Sequence, residues 1–293
     1  MLGLVSACDS NGPGGEDAAT AAPDAAQPVR CGPAIPFGAP SRILELEAPM
    51  RVTGPSLTPD ELTIVFSRQA TTFPADRNYD LYIATRMSAN EPFGAPIAIV
   101  AANSQNTDAN VQIASDGMTI YFDADGPQVF YATRGSVNDE FGPAYVLPDL
   151  YTEGINATPF VTADAEEIWF SAMRPPNPAN WDVYRATSTG SGYGNVVPEA
   201  SLSSASYDQL PVLSADELTI YLASGRPGGM GQNDIWRSTR SATTESFPPP
   251  TLVPDLSSPG DDVPGWLSPD GCRFYFASTR DGLLNLYVAA RAP

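Results

Sequence analysis

Four polar residues recur at one register of this chain, Asp108, Asn156, Asp208 and Asp262, with Val52 at the fifth equivalent position. Each stands eight residues before the aspartate of a repeated acidic turn. Carboxylate and amide oxygens arranged in a ring suit a hard cation, calcium for example. Two such carboxylates about 5 to 10 Å apart, one of them holding its proton, are also the equipment of glycoside hydrolysis. The same residue types have a structural use: an Asp ahead of a tight strand entry accepts backbone N–H bonds and ties neighbouring elements together. Repeat-related aspartates weigh against catalysis, because an acid and its partner base need unequal surroundings.

The rest of the composition narrows the chemistry. The chain has no histidine, which removes the commonest general base, the Ser-His and Cys-His nucleophile pairs and the usual zinc, copper and haem ligands. Its cysteines, Cys8, Cys31 and Cys272, are too scattered for a thiolate metal cluster. The segment "DADG" at 123–126 has one feature of a calcium loop but lacks the further spaced ligands, and reads as a tight hairpin turn. No phosphate-binding glycine loop or nucleophile elbow is present. With 15 basic against 34 acidic side chains and a net charge of −19, the surface repels nucleic-acid phosphates and anionic membranes. No apolar run approaches the roughly 20 residues of a membrane-spanning helix.

The elements that must position the polar ring are repeats. "LTPDELTIVFS" at 57 returns as "IASDGMTIYFD" at 113, "VTADAEEIWFS" at 161, "LSADELTIYLA" at 213 and "LSPDGCRFYFA" at 267. The aligned aspartates, Asp60, Asp116, Asp164, Asp216 and Asp270, are spaced 56, 48, 52 and 54 residues apart. A second block follows each ("DLYIATR" from Asp80, "QVFYATR" from Gln128, "DVYRATS" from Asp182, "DIWRSTR" from Asp234, "NLYVAAR" from Asn285), and a looser "FGAP"-like block precedes each, from Phe37, Phe93, Phe141, Gly192 and Phe247. In "LTIVF", Leu62, Ile64 and Phe66 alternate with Thr63 and Val65, the period of a pleated strand with one face more buried. Pro-Asp and Ser-Asp-Gly before it are turn chemistry. The recurring Asp80, Asp182 and Asp234, and Arg86, Arg134, Arg240 and Arg291, are expected to serve blade geometry.

Four short antiparallel strands repeated five times predict an all-β fold, a β-propeller of five four-stranded blades. The repeats resemble those of the TolB-type, WD-like propeller family over residues 37–293, most clearly in the fourth and fifth units and least in the second, where Gln128 replaces the Asp. The resemblance implies an interaction module of the cell envelope. Because the chain opens with the outer-strand block and ends after "NLYVAAR", the N-terminal segment is expected to supply the outermost strand of the last blade and close the ring. Closure brings Cys31 and Cys272 into one blade, where a disulfide worth about 2 to 4 kcal/mol is expected, two unpaired thiols being the alternative.

Residues 1–8 resemble the end of a bacterial lipoprotein signal, with Val5, Ser6 and Ala7 leading to Cys8 as the lipid anchor, although only seven residues precede that cysteine. Residues 9–36, rich in Ala, Pro, Gly and Asp, read as a disordered tether. The expected location is the cell envelope, lipid-anchored and facing the periplasm or cell surface, and otherwise secreted; the membrane is touched only through the anchor. Nothing in the sequence predicts an oligomer.

The loop between the second and third strands differs in every repeat and places Phe73, Tyr79, Arg174, Trp181, Arg226 and Met230 on one face, the usual material of a binding surface. Tyr79 and Trp181 could equally pack against neighbouring blades. The expected function is a non-enzymatic scaffold that engages a protein or a cell-wall glycan, with no cofactor or with calcium at the polar ring. The alternative is a carbohydrate-active five-bladed propeller, a hydrolase using Asp108, Asp208 and Asp262 or a lectin using loop aromatics such as Trp181.

Overall fold

The computed structural model describes residues 31–70, 78–124, 128–148, 150, 154–175 and 177–292. The first strand, β1 (Ser41–Arg42), belongs to the last blade. Blade 1 holds β2 (Val52–Leu57), β3 (Thr63–Gln69), β4 (Tyr79–Thr85) and β5 (Ile97–Ala98), and blade 2 holds β6 (Asp108–Ile113), β7 (Thr119–Ala124), β8 (Val129–Thr133) and β9 (Tyr145–Val146). Blade 3 holds β10 (Ile155–Val161), β11 (Glu167–Arg174), β12 (Asn177–Ser188) and β13 (Tyr193–Pro198). Blade 4 holds β14 (Asp208–Leu213), β15 (Thr219–Ser224), β16 (Asp234–Thr239) and β17 (Thr251–Leu252). Blade 5 is β18 (Asp262–Leu267), β19 (Arg273–Ser278) and β20 (Asn285–Ala290), completed by β1. The innermost strands β2, β6, β10, β14 and β18 touch in sequence and β18 returns to β2, so the protein is a five-bladed β-propeller. The one helical element among the described residues is a 3-10 turn at Leu44–Leu46.

Each strand-pair turn is built by its aspartate. Asp60, Asp116, Asp164, Asp216 and Asp270 accept the N–H of the residue two positions on, the Asx-turn geometry that short polar side chains provide. The residue between is left-handed, Gly117 and Gly271 in two turns but Glu61, Ala165 and Glu217 in the others. Its carbonyl is held by the recurring arginine: Arg86 donates to Glu61 O, Arg134 to Gly117 O, Arg240 to Glu217 O and Arg291 to Gly271 O. Each of these guanidinium groups also covers the Phe of the outer-strand block, Phe93, Phe141, Phe247 or Phe37, at 3.9–4.6 Å. Blade 3 has Ser188 at the arginine position and Tyr193 at the Phe position, and there the Tyr193 hydroxyl donates to Ala165 O instead.

Both faces of the blades are buried, because each sheet is sandwiched between two others. In β3, Ile64 and Phe66 join a core with Trp266, Tyr275 and Leu286 of blade 5, while Val65 joins one with Ile113, Ile120 and Phe122 of blade 2. The expected distinction between a more and a less buried face therefore disappears at Val65, which is fully buried.

Closure is by the N-terminal strand. β1 pairs with β20 through Ser41↔Val288 and Arg42↔Tyr287, and Phe37 bridges Arg291. Cys31 and Cys272 form a disulfide, beside which Cys31 N–H donates to Asp270 O and Arg291 donates to Cys31 O. At the seam with blade 1, buried Glu61 accepts from Arg273 at 2.6 Å, Tyr275 at 2.8 Å and Arg86 at 3.4 Å.

Candidate functional site

The polar ring enters the innermost strands, on the same end of the propeller as the variable loops, since Asp208 pairs with Ser224 and Asp262 with Ser278 at the loop ends of β15 and β19. Asp108, Asn156, Asp208 and Asp262 are all at most 1% exposed. A carboxylate so deeply buried must be paired or neutral, and here its partners are internal. Arg226 reaches Asp208 at 2.5 Å and Leu202 O at 2.6 Å, and Arg280 reaches Asp262 at 2.8 Å and Leu256 O at 2.7 Å. Arg174 contacts the Asn156 amide oxygen through Nε at 3.0 Å and Nη2 at 2.5 Å. The second oxygens are taken by serines: Ser204 N–H on Asp208, the Ser258 hydroxyl on Asp262, and both groups of Ser104 on Asp108.

The ring thus consists of clasps that fasten the strand-entry loops. Among the described residues no three His, Cys, Asp or Glu side chains converge as a metal site would require. Arg174 and Arg226, expected on the binding face, turn inward into these clasps; Arg174 covers Phe170 and Tyr184, and Arg226 covers Trp236. For Arg226 the placement follows from charge, since a guanidinium beside an otherwise buried carboxylate removes the cost of leaving either unpaired, whereas Arg174 meets the neutral amide oxygen of Asn156. The sequence does carry the signal. In blades 3, 4 and 5 the arginine lies 18 residues beyond its acceptor, whereas blade 1 has Val52 and Ala70, losing both partners together.

The other loop-face candidates divide. Trp181 is half-buried and belongs to β12, because the blade 3 hairpin runs on to Arg174↔Asn177 where a loop was expected. Tyr79 is half-buried at the start of β4, its phenol pushed up by burial and partly drawn back by Arg51. Met230 is exposed on the glycine-rich loop, which Asp234 shapes by accepting the Met230 and Gly231 N–H groups. Phe73 and Cys8 lie outside the described residues.

The channel itself is nearly filled. Innermost-strand residues Gly54, Asn110, Thr158 and Leu210 share one bulge register and are all left-handed, φ 49–62°. Such a backbone is costly for β-branched Thr158, and neighbouring blades hold it there. Thr158 N–H donates to Asp123 of blade 2 at 2.9 Å, and its hydroxyl accepts the N–H of Leu210 in blade 4. The Gln112 amide likewise binds both backbone groups of Val161. What remains is about 20 Å³ among these residues and about 80 Å³ at the opposite mouth, too little for a sugar ring.

Asp123 was not singled out by the repeat, which has Ser or Ala at its register elsewhere. Burial is the main cause that pushes its carboxyl up to about 6, against hydrogen bonds from Thr158 and Asn110, with Asp108 adding to the rise. The native state therefore keeps a proton that the unfolded chain loses near pH 4. Stability from this residue is present below pH 4 and declines as pH rises to 6. Asp123→Asn should abolish that slope, so that the stability difference between wild type and variant changes by about 2 kcal/mol between pH 4.5 and 7. Urea titrations of both proteins at the two pH values test this, and parallel behaviour would refute it.

No protein-family model matches the sequence, and comparison with curated proteins finds no match. Solved structures do share the fold. The α-L-arabinofuranosidase of Podospora anserina is 13% identical with a TM-score of 0.54, covering 83% of this chain and 91% of its own. The catalytic domain of an α-L-arabinofuranosidase from Coprinopsis cinerea is 10% identical with a TM-score of 0.57, covering 91% and 98%. A putative TolB from Agrobacterium tumefaciens is 17% identical with a TM-score of 0.51, covering 82% and 76%. At such identities the likeness is one of architecture: this chain is a five-bladed β-propeller whose structural neighbours include both glycoside hydrolases and TolB.

Proposed function

We propose that the protein is a non-enzymatic binding scaffold of the cell envelope that presents its variable-loop face to a protein or cell-wall glycan. The observation that carries this reading is the fate of the carboxylate ring. Asp208 and Asp262, the groups best placed by sequence for hydrolysis or calcium binding, are each spent on an arginine and a serine. The loops of the same face vary in length and composition, with Met230 and Trp181 at its surface. Cys8 and the Ala-, Pro- and Gly-rich composition over 9–30 are the reason for placing the scaffold at the envelope; residues 31–36 of the expected tether belong instead to the propeller, through buried Cys31.

One observation favours the carbohydrate-active alternative. Asp123, with its raised pKa beside Asp108, is an unequal pair of the kind acid catalysis uses. Both residues accept internal hydrogen bonds from Ser104, Asn110 and Thr158, which favours a structural role.

Incubating the full chain with aryl glycosides, p-nitrophenyl α-L-arabinofuranoside among them, decides between the two. The scaffold reading expects no turnover above buffer, and retention on purified cell-wall glycan or an envelope protein that weakens in a Trp181→Ala, Met230→Ala variant. Turnover abolished by Asp123→Asn in a folded variant would establish the enzyme instead.

A further inference from the structure

Between blades 2 and 3, on the end of the propeller away from the variable loops, lies a cleft of about 280 Å³. Its walls are Tyr121 and Tyr131 of blade 2 and Tyr193 of blade 3, with hydroxyls of Thr119, Thr133 and Ser191 between them. Tyr145, 56% exposed, extends the aromatic surface by packing on Tyr131 at 6.0 Å. The cleft forms where the repeat is broken. Ser188 and Tyr193 stand in place of the arginine and phenylalanine of the other blades, and Gly192 lies so close to Pro148 O that a Cβ there has no room. The Tyr193 hydroxyl fixes its ring by bonding Ala165 O.

The cleft is lined by uncharged side chains, and the carboxylates Asp116, Asp164 and Glu166 stand behind its tyrosines. Its lining residues include no Arg. Burial pushes the Tyr121 and Tyr193 phenols up, and the nearby carboxylates, Asp116 for Tyr121 and Asp164 and Glu166 for Tyr193, add to the rise. Arg134, near Asp116, is committed to Gly117 O and the Phe141 ring. The sequence contains no lysine at all, so every basic side chain is an arginine, and those of the blade clasps are turned into the fold. Tyrosine faces carry negative potential and attract cations, the more so where carboxylates add to the field.

We propose that this cleft binds an organic cation, an alkylammonium group in particular, by cation–π contact with Tyr121, Tyr131 and Tyr145. The lining has no carboxylate or amide side chain to fork the hydroxyl pairs of a neutral saccharide, which favours the cation over the sugar. The ligand reaches the protein either as a free amine or as a methylated or basic side chain of a partner. The proposal concerns the face opposite the variable loops and stands whether that other face binds or hydrolyses.

The test is calorimetric titration of the full chain with tetramethylammonium chloride and with a peptide carrying one trimethyllysine. Parallel titrations use the same peptide with an uncharged tert-butyl isostere, and a neutral xylo-oligosaccharide. The cations should bind with a Kd of order 0.1–1 mM and the isostere at least tenfold more weakly. Tight binding of the peptide with weak binding of the free ammonium marks a partner's side chain as the source, and equal binding marks a free amine. Tyr131→Ala should weaken binding about tenfold. Tyr145→Ala, at an exposed site that leaves folding intact, should weaken it severalfold if the first variant is unstable. Equal binding of the isostere, preference for the oligosaccharide, indifference to the Tyr145 substitution, or no cation binding up to about 10 mM would each overturn the proposal.

Discussion

Reducing the Cys31–Cys272 bond, or replacing both residues by Ser, is expected to destabilise the propeller by about 5 kcal/mol. The bond closes a loop across 241 residues of sequence, and the chain-entropy cost of such a loop in the unfolded state grows with its length. The effect is larger than the sequence-based expectation because the loop spans almost the whole ring. In the native state the bond pins the segment that leads into β1. Without it, Phe37, Ile43 and Leu46, all buried against blades 1, 4 and 5, are kept in place by a two-residue strand pairing, the Phe37 bridge and a few backbone hydrogen bonds such as Gly38 to Ala290 O and Ile43 to Leu286 O. At about 2 to 4 °C per kcal/mol for a domain of this size, the thermal midpoint should fall by 10 °C or more. Differential scanning calorimetry with and without reductant measures it. An unchanged midpoint would mean that the Glu61 seam and β1 close the ring unaided.

Asp262→Ala should cost about 3 to 5 kcal/mol, the range for removing one partner of a buried ion pair. Arg280 is left partly buried over Phe276 and Tyr287 with no carboxylate, and the Ser258 hydroxyl loses its acceptor. The decisive comparison is the double variant Asp262→Val, Arg280→Ala, which imitates what blade 1 already has in Val52 and Ala70. If the ring is made of clasps, the double variant recovers part of the loss, a coupling read from a double-mutant cycle in urea. Calcium should leave the melting temperature of every variant unchanged. A wild type stabilised by calcium, with the effect lost in Asp262→Ala, would make the ring a cation site and return the reading to the one its residue types first suggested.

Much of the fold was legible in the sequence because its causes are local. The acidic turn is written as Asp followed by a residue able to adopt a left-handed backbone, and each aspartate bonds a neighbour two residues away. The recurring Arg residues were assigned to blade geometry, although the turn carbonyl each one holds and the Phe it covers could not be read from spacing alone. Even closure had a sequence signal, the outer-strand block that precedes the first full repeat and pairs with β20 of the last blade.

The functional face was much less legible. Asp208 and Arg226, or Asp262 and Arg280, are separated by two strands and a loop in sequence and meet only when a β-hairpin returns the chain to its own entry point. An arginine in a Pro- and Gly-shaped loop has the composition of a binding surface, and only burial reveals that it is internal. Asp123 was hidden for a related reason: burial in the assembled ring pushes its carboxyl up, and the hydrogen bonds from Asn110 and from Thr158 of the next blade offset that only in part. The tyrosine cleft likewise comes into being where blades 2 and 3 abut. The sequence by itself therefore determined the repeat, the strands, the turns and the number of blades, which depend on periodicity and short-range hydrogen bonding. Tertiary structure alone decided which polar groups are free to act, because desolvation and pairing are properties of surroundings assembled from residues far apart in the chain.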